Sequence, residues 1–148
     1  MVAGQAAGVS AKDAAQGIAN VYGVPGRLEP VVAGQPFAVL VDYAHTPDAI
    51  ENVLKALKGI AKGSVRLVFG ATVDNEKKKR PIMGAIAAKN ADMIYLTDDE
   101  TYTENPDAIR SAVRAGIESA NGTYVEISDR KAAIKQAFAD ADPNDVVL

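Results

Sequence analysis

The sequence has no cysteine and a single histidine. That excludes disulfides, thiolate metal sites and cysteine nucleophiles, and it leaves a transition metal without its usual ligands. A cysteine-free chain suits a reducing cytosol. No stretch approaches the roughly 18 apolar residues that a membrane-spanning helix requires. Met1 to Gln16 contains one basic residue, Lys12, and no long apolar run, so it does not read as a signal peptide. Positive charge is not in excess: 16 Lys and Arg stand against 19 Asp and Glu, for a net charge of -3, which gives no footprint for nucleic acid. Two nucleotide motifs are missing as well. No G-x-x-x-x-G-K-[ST] run is present to cradle a triphosphate, and no G-x-G-x-x-G opens a helix for nicotinamide or flavin. The expectation is a cytoplasmic protein with no nucleic acid or membrane as partner and no metal site of its own.

What is present is ordinary globular material. The 148 residues are 48% hydrophobic and 24% charged, with 12 Gly and 7 Pro, which fits one domain and excludes disordered or collagen-like chains. A chain of this size removes roughly 70% of its unfolded surface from water, so it can build a core. Apolar runs alternate with helical periods. Ala14, Ile18 and Val21 share one face of a first helix, which Ser10 caps and Gly23 ends. Phe37 to Val41 is a near-continuous apolar run and reads as a buried strand. Ile50, Val53, Leu54, Leu57 and Ile60 follow helical spacing, with Thr46 as N-cap, Pro47 in the first turn and Asp48 complementing the dipole.

The alternation continues. Val65 to Phe69 is strand-like, and Ile82, Ile86 and Ala87 lie on one helical face. Asp92 to Leu96 is a further strand, and Asn105-Pro106-Asp107 opens a helix with Ile109, Val113 and Ile117 on its core face. Tyr124 to Ile127 is a short strand, Ile134, Ala137 and Phe138 mark a last helix, and Asp145 to Leu148 begins an apolar strand. This order predicts an α/β fold: a Rossmann-like, doubly wound, mostly parallel sheet with helices on both faces. Ligands of such sheets bind beyond the carboxyl ends of the strands, which directs attention to residues 42–46, 70–80, 97–105 and 128–130.

Four stretches there could carry chemistry. Asp42-Tyr43-Ala44-His45-Thr46-Pro47-Asp48 runs from a strand end into a helix; helix-start chemistry explains its second half and leaves Asp42 and His45 unexplained. Gly23-Val24-Pro25-Gly26-Arg27 is a turn that could present a guanidinium to phosphate. The stretch from Gly70 to Pro81 places Lys79 and Arg80 at a helix start, where the dipole disfavours cations. Either that loop is simply solvated or its charges serve an anion. Thr97 to Pro106 carries Asp98, Asp99 and Glu100, either as an acidic connector or as a receptor for an amine.

In order and spacing these stretches resemble Mur ligases of the MurE type, over about Gly8 to Leu148: GVPGR at Gly23–Arg27, DYAHTPD at Asp42–Asp48, KRP at Lys79–Pro81, and a T-D-D loop from Thr97. The resemblance implies the family's C-terminal Rossmann-like domain at residues 23–148, stopping short of the family's K-G-H-E motif, with residues 1–22 a remnant of the central ATPase domain's last helix. It implies an ATP-dependent ligase that adds the third amino acid to UDP-MurNAc-dipeptide through an acyl phosphate. The N-terminal and central domains are the partners of this one, and Mg²⁺ is held mainly by the central domain. Arg27, Asp42 and His45 would be the catalytic residues, joined by Tyr43 at ATP. Asp74, Asn75, Lys79, Arg80, Asp99, Glu100 and Tyr102 would line the amino-acid site. Asn75 and Asp99-Glu100-Thr101-Tyr102 replace the family's D-R-D and D-N-P-R arginines, which predicts a lysine- or ornithine-like substrate over diaminopimelate. The fragment alone is expected to be inactive. Related readings are a folylpolyglutamate synthetase-like domain, a subunit of an amidating complex and a receiver-like binding domain.

Overall fold

The computed structural model describes residues 2–21, 23–72 and 77–148. Five parallel strands and one antiparallel edge strand form a single sheet, in the order β1-β2-β6-β3-β4-β5. β1 (Glu29–Pro30) runs antiparallel to β2 (Ala38–Val41), and β2 pairs in parallel with β6 (Val146–Val147). β6 lies in turn against β3 (Val65–Phe69), followed by β4 (Met93–Leu96) and β5 (Tyr124–Glu126).

α3 (Pro47–Ile60), α4 (Lys79–Asn90) and α5 (Pro106–Ser119) cover one face. Their apolar stripes meet β3, β4 and β6 in the main core, where Leu54, Ala87, Ile94, Leu96, Val113 and Ile117 are fully buried. α6 (Arg130–Ala139) covers the other face, packing Ala133 and Ala137 over Tyr95, Val39 and Val147. Helices on both faces of a mostly parallel sheet match the expected doubly wound fold. α1 (Val2–Ala6) and α2 (Ala11–Ala19) stand apart from this core, and α2 buries none of its residues.

Local signals hold well. Thr46, Asn105, Ser10 and Asp129 each accept a hydrogen bond from the backbone of the helix they start. Four faces differ from their predicted form. α2 stops at Ala19 with Asn20 as C-cap, so Val21 lies beyond it, and α1 precedes it. In β2 only Val39 is buried, because the strand stands beside a two-residue edge strand while the helices gather over β3 and β4.

α4 turns Met83, Gly84 and Ala87 inward and leaves Ile82 exposed. The reason is its closeness to α5: a Cβ on Gly84 would lie 2.1 Å from the Val113 carbonyl oxygen, and one on Gly116 1.9 Å from that of Pro81. The helices touch backbone to backbone, and only glycine permits that rotation. α6 likewise buries Ala133 and Ala137 and leaves Ile134 and Phe138 exposed, since small side chains let it settle over the Tyr95 ring. Among the described residues no helix is long and apolar enough to cross a membrane.

Candidate functional site

β2, β3 and β4 each feed a helix on one face, whereas β5 feeds α6 on the other. The segments after β4 and β5 therefore part, and a crevice opens at the carboxyl end of the sheet, as doubly wound folds require. It measures about 560 Å³ and is lined by Asp98, Asp99, Glu100, Ser128, Asp129 and Arg130. Beside it a small pocket of about 40 Å³ joins the ends of β2, β3 and β4. Its walls bring together His45, Lys79, Arg80 and Asp99, four expected site residues drawn from three separate stretches, with Thr72 between them. Gly70 permits this convergence, because a Cβ there would lie 2.5 Å from the Thr97 carbonyl oxygen.

The GVPGR turn is tied to the end of β2. Gly26 takes φ 68° and Leu28 takes φ 45°, both left-handed. Asp42 Oδ2 accepts from Leu28 N at 2.8 Å, and the Gly26 carbonyl accepts from Tyr43 N at 2.8 Å. These bonds set the exposed Arg27 guanidinium 5.2 Å from the centre of the Tyr43 ring. Tyr43 leans on His45 with ring centres 4.8 Å apart. His45 Nδ1 lies 3.1 Å from the Tyr43 carbonyl oxygen. A carbonyl only accepts, so Nδ1 carries the hydrogen and Nε2 is left to meet a ligand. Asp42 thus supports the turn that carries Arg27.

The cations before α4 meet an internal anion. Arg80, almost fully buried, donates from both terminal nitrogens to Glu104 at 2.8 Å, and Lys77 reaches the same carboxylate at 3.1 Å. The Arg80 contact first, and Lys77 next, hold the Glu104 carboxyl at about 2. Two of the cations at this helix start, Lys77 and Arg80, are thus engaged by Glu104 in the segment that follows β4, an internal partner that neither earlier alternative named. Asp74 and Asn75 lie outside the described residues.

Sequence reasoning missed a second clamp, centred on Arg110. Its buried guanidinium donates to Glu126 Oε1 at 2.8 Å and also to Asp98 and Asp107. The hydrogen bond to Glu126 outweighs burial and raises the arginine's pKa further. Burial alone would raise the Glu126 pKa, but Arg110 and Arg114 hold it below its ordinary value. The signal was there: Arg110 lies three residues before Val113 and seven before Ile117, on the apolar stripe. Asp98 is thereby committed to the fold, while Asp99 meets Arg130 at 3.6 Å and Glu100 accepts from the Tyr102 hydroxyl at 2.9 Å. Among the described residues no group of three or more His, Cys, Asp or Glu side chains could hold a metal ion.

The chain is 45% identical over 143 residues to the UDP-N-acetylmuramoyl-L-alanyl-D-glutamate–2,6-diaminopimelate ligase of Geobacillus thermodenitrificans, covering 97% of this chain and 29% of that protein. A solved structure of a ligase of the same name superimposes with a TM-score of 0.76 at 34% identity, over 99% of this chain and 30% of that one. E. coli FolC in complex with ADP matches with a TM-score of 0.70 at 25% identity, over 95% of this chain and 31% of that one. The chain thus spans under a third of the relatives it matches, and their names give no support to a lysine- or ornithine-like substrate. The Mur ligase, glutamate ligase domain family matches residues 26–148, and the chain belongs to that family.

Proposed function

We propose that residues 23–148 are the amino-acid-presenting domain of a cytoplasmic, ATP-dependent ligase that extends UDP-MurNAc-dipeptide with diaminopimelate, with residues 1–22 belonging to the preceding ATPase domain. The observation that supports this most directly is the convergence of His45, Lys79, Arg80 and Asp99 on one pocket at the carboxyl ends of three strands, in a chain of this family. The relatives' names favour diaminopimelate over lysine. A folylpolyglutamate synthetase-like or amidating-complex role has weaker support, since the 45% identical relative is named for diaminopimelate.

The reaction activates the peptide carboxylate as an acyl phosphate at the expense of ATP. The amine of the incoming amino acid then attacks that carbonyl, and phosphate leaves with its bonding electrons as the amide forms. This domain contributes charge and position. Arg27, held over Tyr43, meets phosphate charge when the domains close, and His45 Nε2 lies on the same surface. Asp99 and Glu100 attract the ammonium of the amino acid's far end, and Arg130 offers its guanidinium to the carboxylate beside it.

The test is ADP release by the full-length protein with UDP-MurNAc-dipeptide and either meso-diaminopimelate or lysine. Turnover should require the dipeptide and run faster with diaminopimelate. Arg27→Ala should lower kcat by on the order of 10²-fold, the usual cost of losing one preorganised charge at the reacting group. Release that ignores the dipeptide would overturn the ligase reading, and faster turnover with lysine would overturn the choice of amino acid.

A further inference from the structure

Residues 97–105 leave β4, skirt the crevice and enter α5, and they are anchored at their two ends. At the start, Thr97 Oγ1 and Asp98 N both donate to the Ser128 carbonyl, at 3.0 and 3.1 Å, while Arg110 grips the Asp98 carboxylate. At the finish, Arg80 holds Glu104. Between these anchors the contacts are local or weak. Glu100 N donates to Asp99 Oδ1 at 2.9 Å, Tyr102 pairs with Glu100, Tyr102 sits at φ 44°, and Arg130 stands 3.6 Å from Asp99. The middle of the segment therefore takes its position over the crevice from its ends.

We infer that Arg110 is a positioning residue for amino-acid recognition: by holding Asp98 it sets Asp99 to Tyr102 at the mouth of the crevice. This deepens the functional reading above and rests on it for the identity of the ligand. Each arm of the guanidinium is engaged, with Glu126 of β5, Asp98 after β4 and Asp107 of α5, so one side chain ties three elements together. α5 also has an apolar anchor besides this clamp, since Ile109, Val113 and Ile117 are 2% exposed or less. Lysine keeps the charge but cannot reproduce a planar fork aimed at three acceptors. A buried charge tolerates its environment only while its partners are in place, so loosening one contact should release the segment locally.

The experiment uses the full-length protein with Arg110→Lys, Asp98→Asn and the double variant. The KM for diaminopimelate should rise about tenfold in each single variant, with the KM values for ATP and the dipeptide within about twofold of wild type. The double variant should be no worse than either single one, as two groups acting through one contact require. A parallel measurement needs no turnover: amide hydrogen exchange at Asp98 to Thr103 should quicken in both variants while β3 keeps its protection. Unchanged exchange in that segment, or a rise in all three KM values together, would overturn the inference. A wild-type enzyme with no amino-acid-dependent turnover would overturn the ligase reading instead, and the exchange result would still decide the role of Arg110.

Discussion

Glu104 shows how much one residue can reassign. Read along the chain it is an acid in a polar connector; folded, it is the counter-ion that lets Arg80 be buried at a helix start. Its carboxyl is held at about 2 by Arg80 and then Lys77, against an ordinary value of 4.5. The fold thus favours the ionised form. The contact contributes fully above pH 4.5 and is lost as pH falls from there toward about 2. Urea unfolding should show Glu104→Gln less stable than wild type at neutral pH, with the gap closing across that window. A gap independent of pH would mean that the ion pair does not carry the effect. Asp42 is a companion case, a carboxylate expected at a nucleotide whose structural partner is the Leu28 amide.

At the scale of elements, the α4–α5 contact decides most about the site, because it fixes where Arg80 and Arg110 emerge. Alanine normally stabilises a helix over glycine by about 1 kcal/mol. At Gly84 and Gly116 the sign should reverse, since the new methyl would overlap a carbonyl oxygen and force two backbones apart. We expect Gly84→Ala and Gly116→Ala each to cost about 1–3 kcal/mol. Gly59→Ala, in α3 with nothing within 4 Å, should stabilise by up to about 1 kcal/mol. Denaturant midpoints measure all three. Equal effects at the three positions would show that the two helices can separate without penalty.

For the whole molecule the central fact is the place of β6. The last strand in the chain is inserted between β2 and β3, with register pairs Ala38↔Val146 and Val65↔Val146. Asp145, just before it, binds Arg66 Nε and Ser64 N, each at 2.7 Å. Removing Asp145 to Leu148 should therefore unpair both neighbours and abolish cooperative unfolding by circular dichroism. A truncated chain that unfolds at the wild-type midpoint would show that β6 does not hold the two halves of the sheet together. The same insertion leaves the divergence between β4 and β5 as the place where the crevice opens.

Sequence alone determined much of what depends on neighbours along the chain: the alternation of strands and helices from β2 onward, the caps at Thr46 and Asn105, the stripe of Ile109, Val113 and Ile117, and the four motifs that mark the family. Those features follow from backbone sterics and helical period, which act over a few residues. Tertiary structure alone decided the central seat of β6, the inward faces of α4 and α6, the union of the GVPGR turn with the end of β2, and the arginine clamps on Asp98 and Glu104. Each of these depends on which surfaces meet. Periodicity assigns a residue to a face of its own helix, but it cannot say that a glycine must lie under a neighbour's carbonyl or that a buried arginine finds its acid 24 residues away.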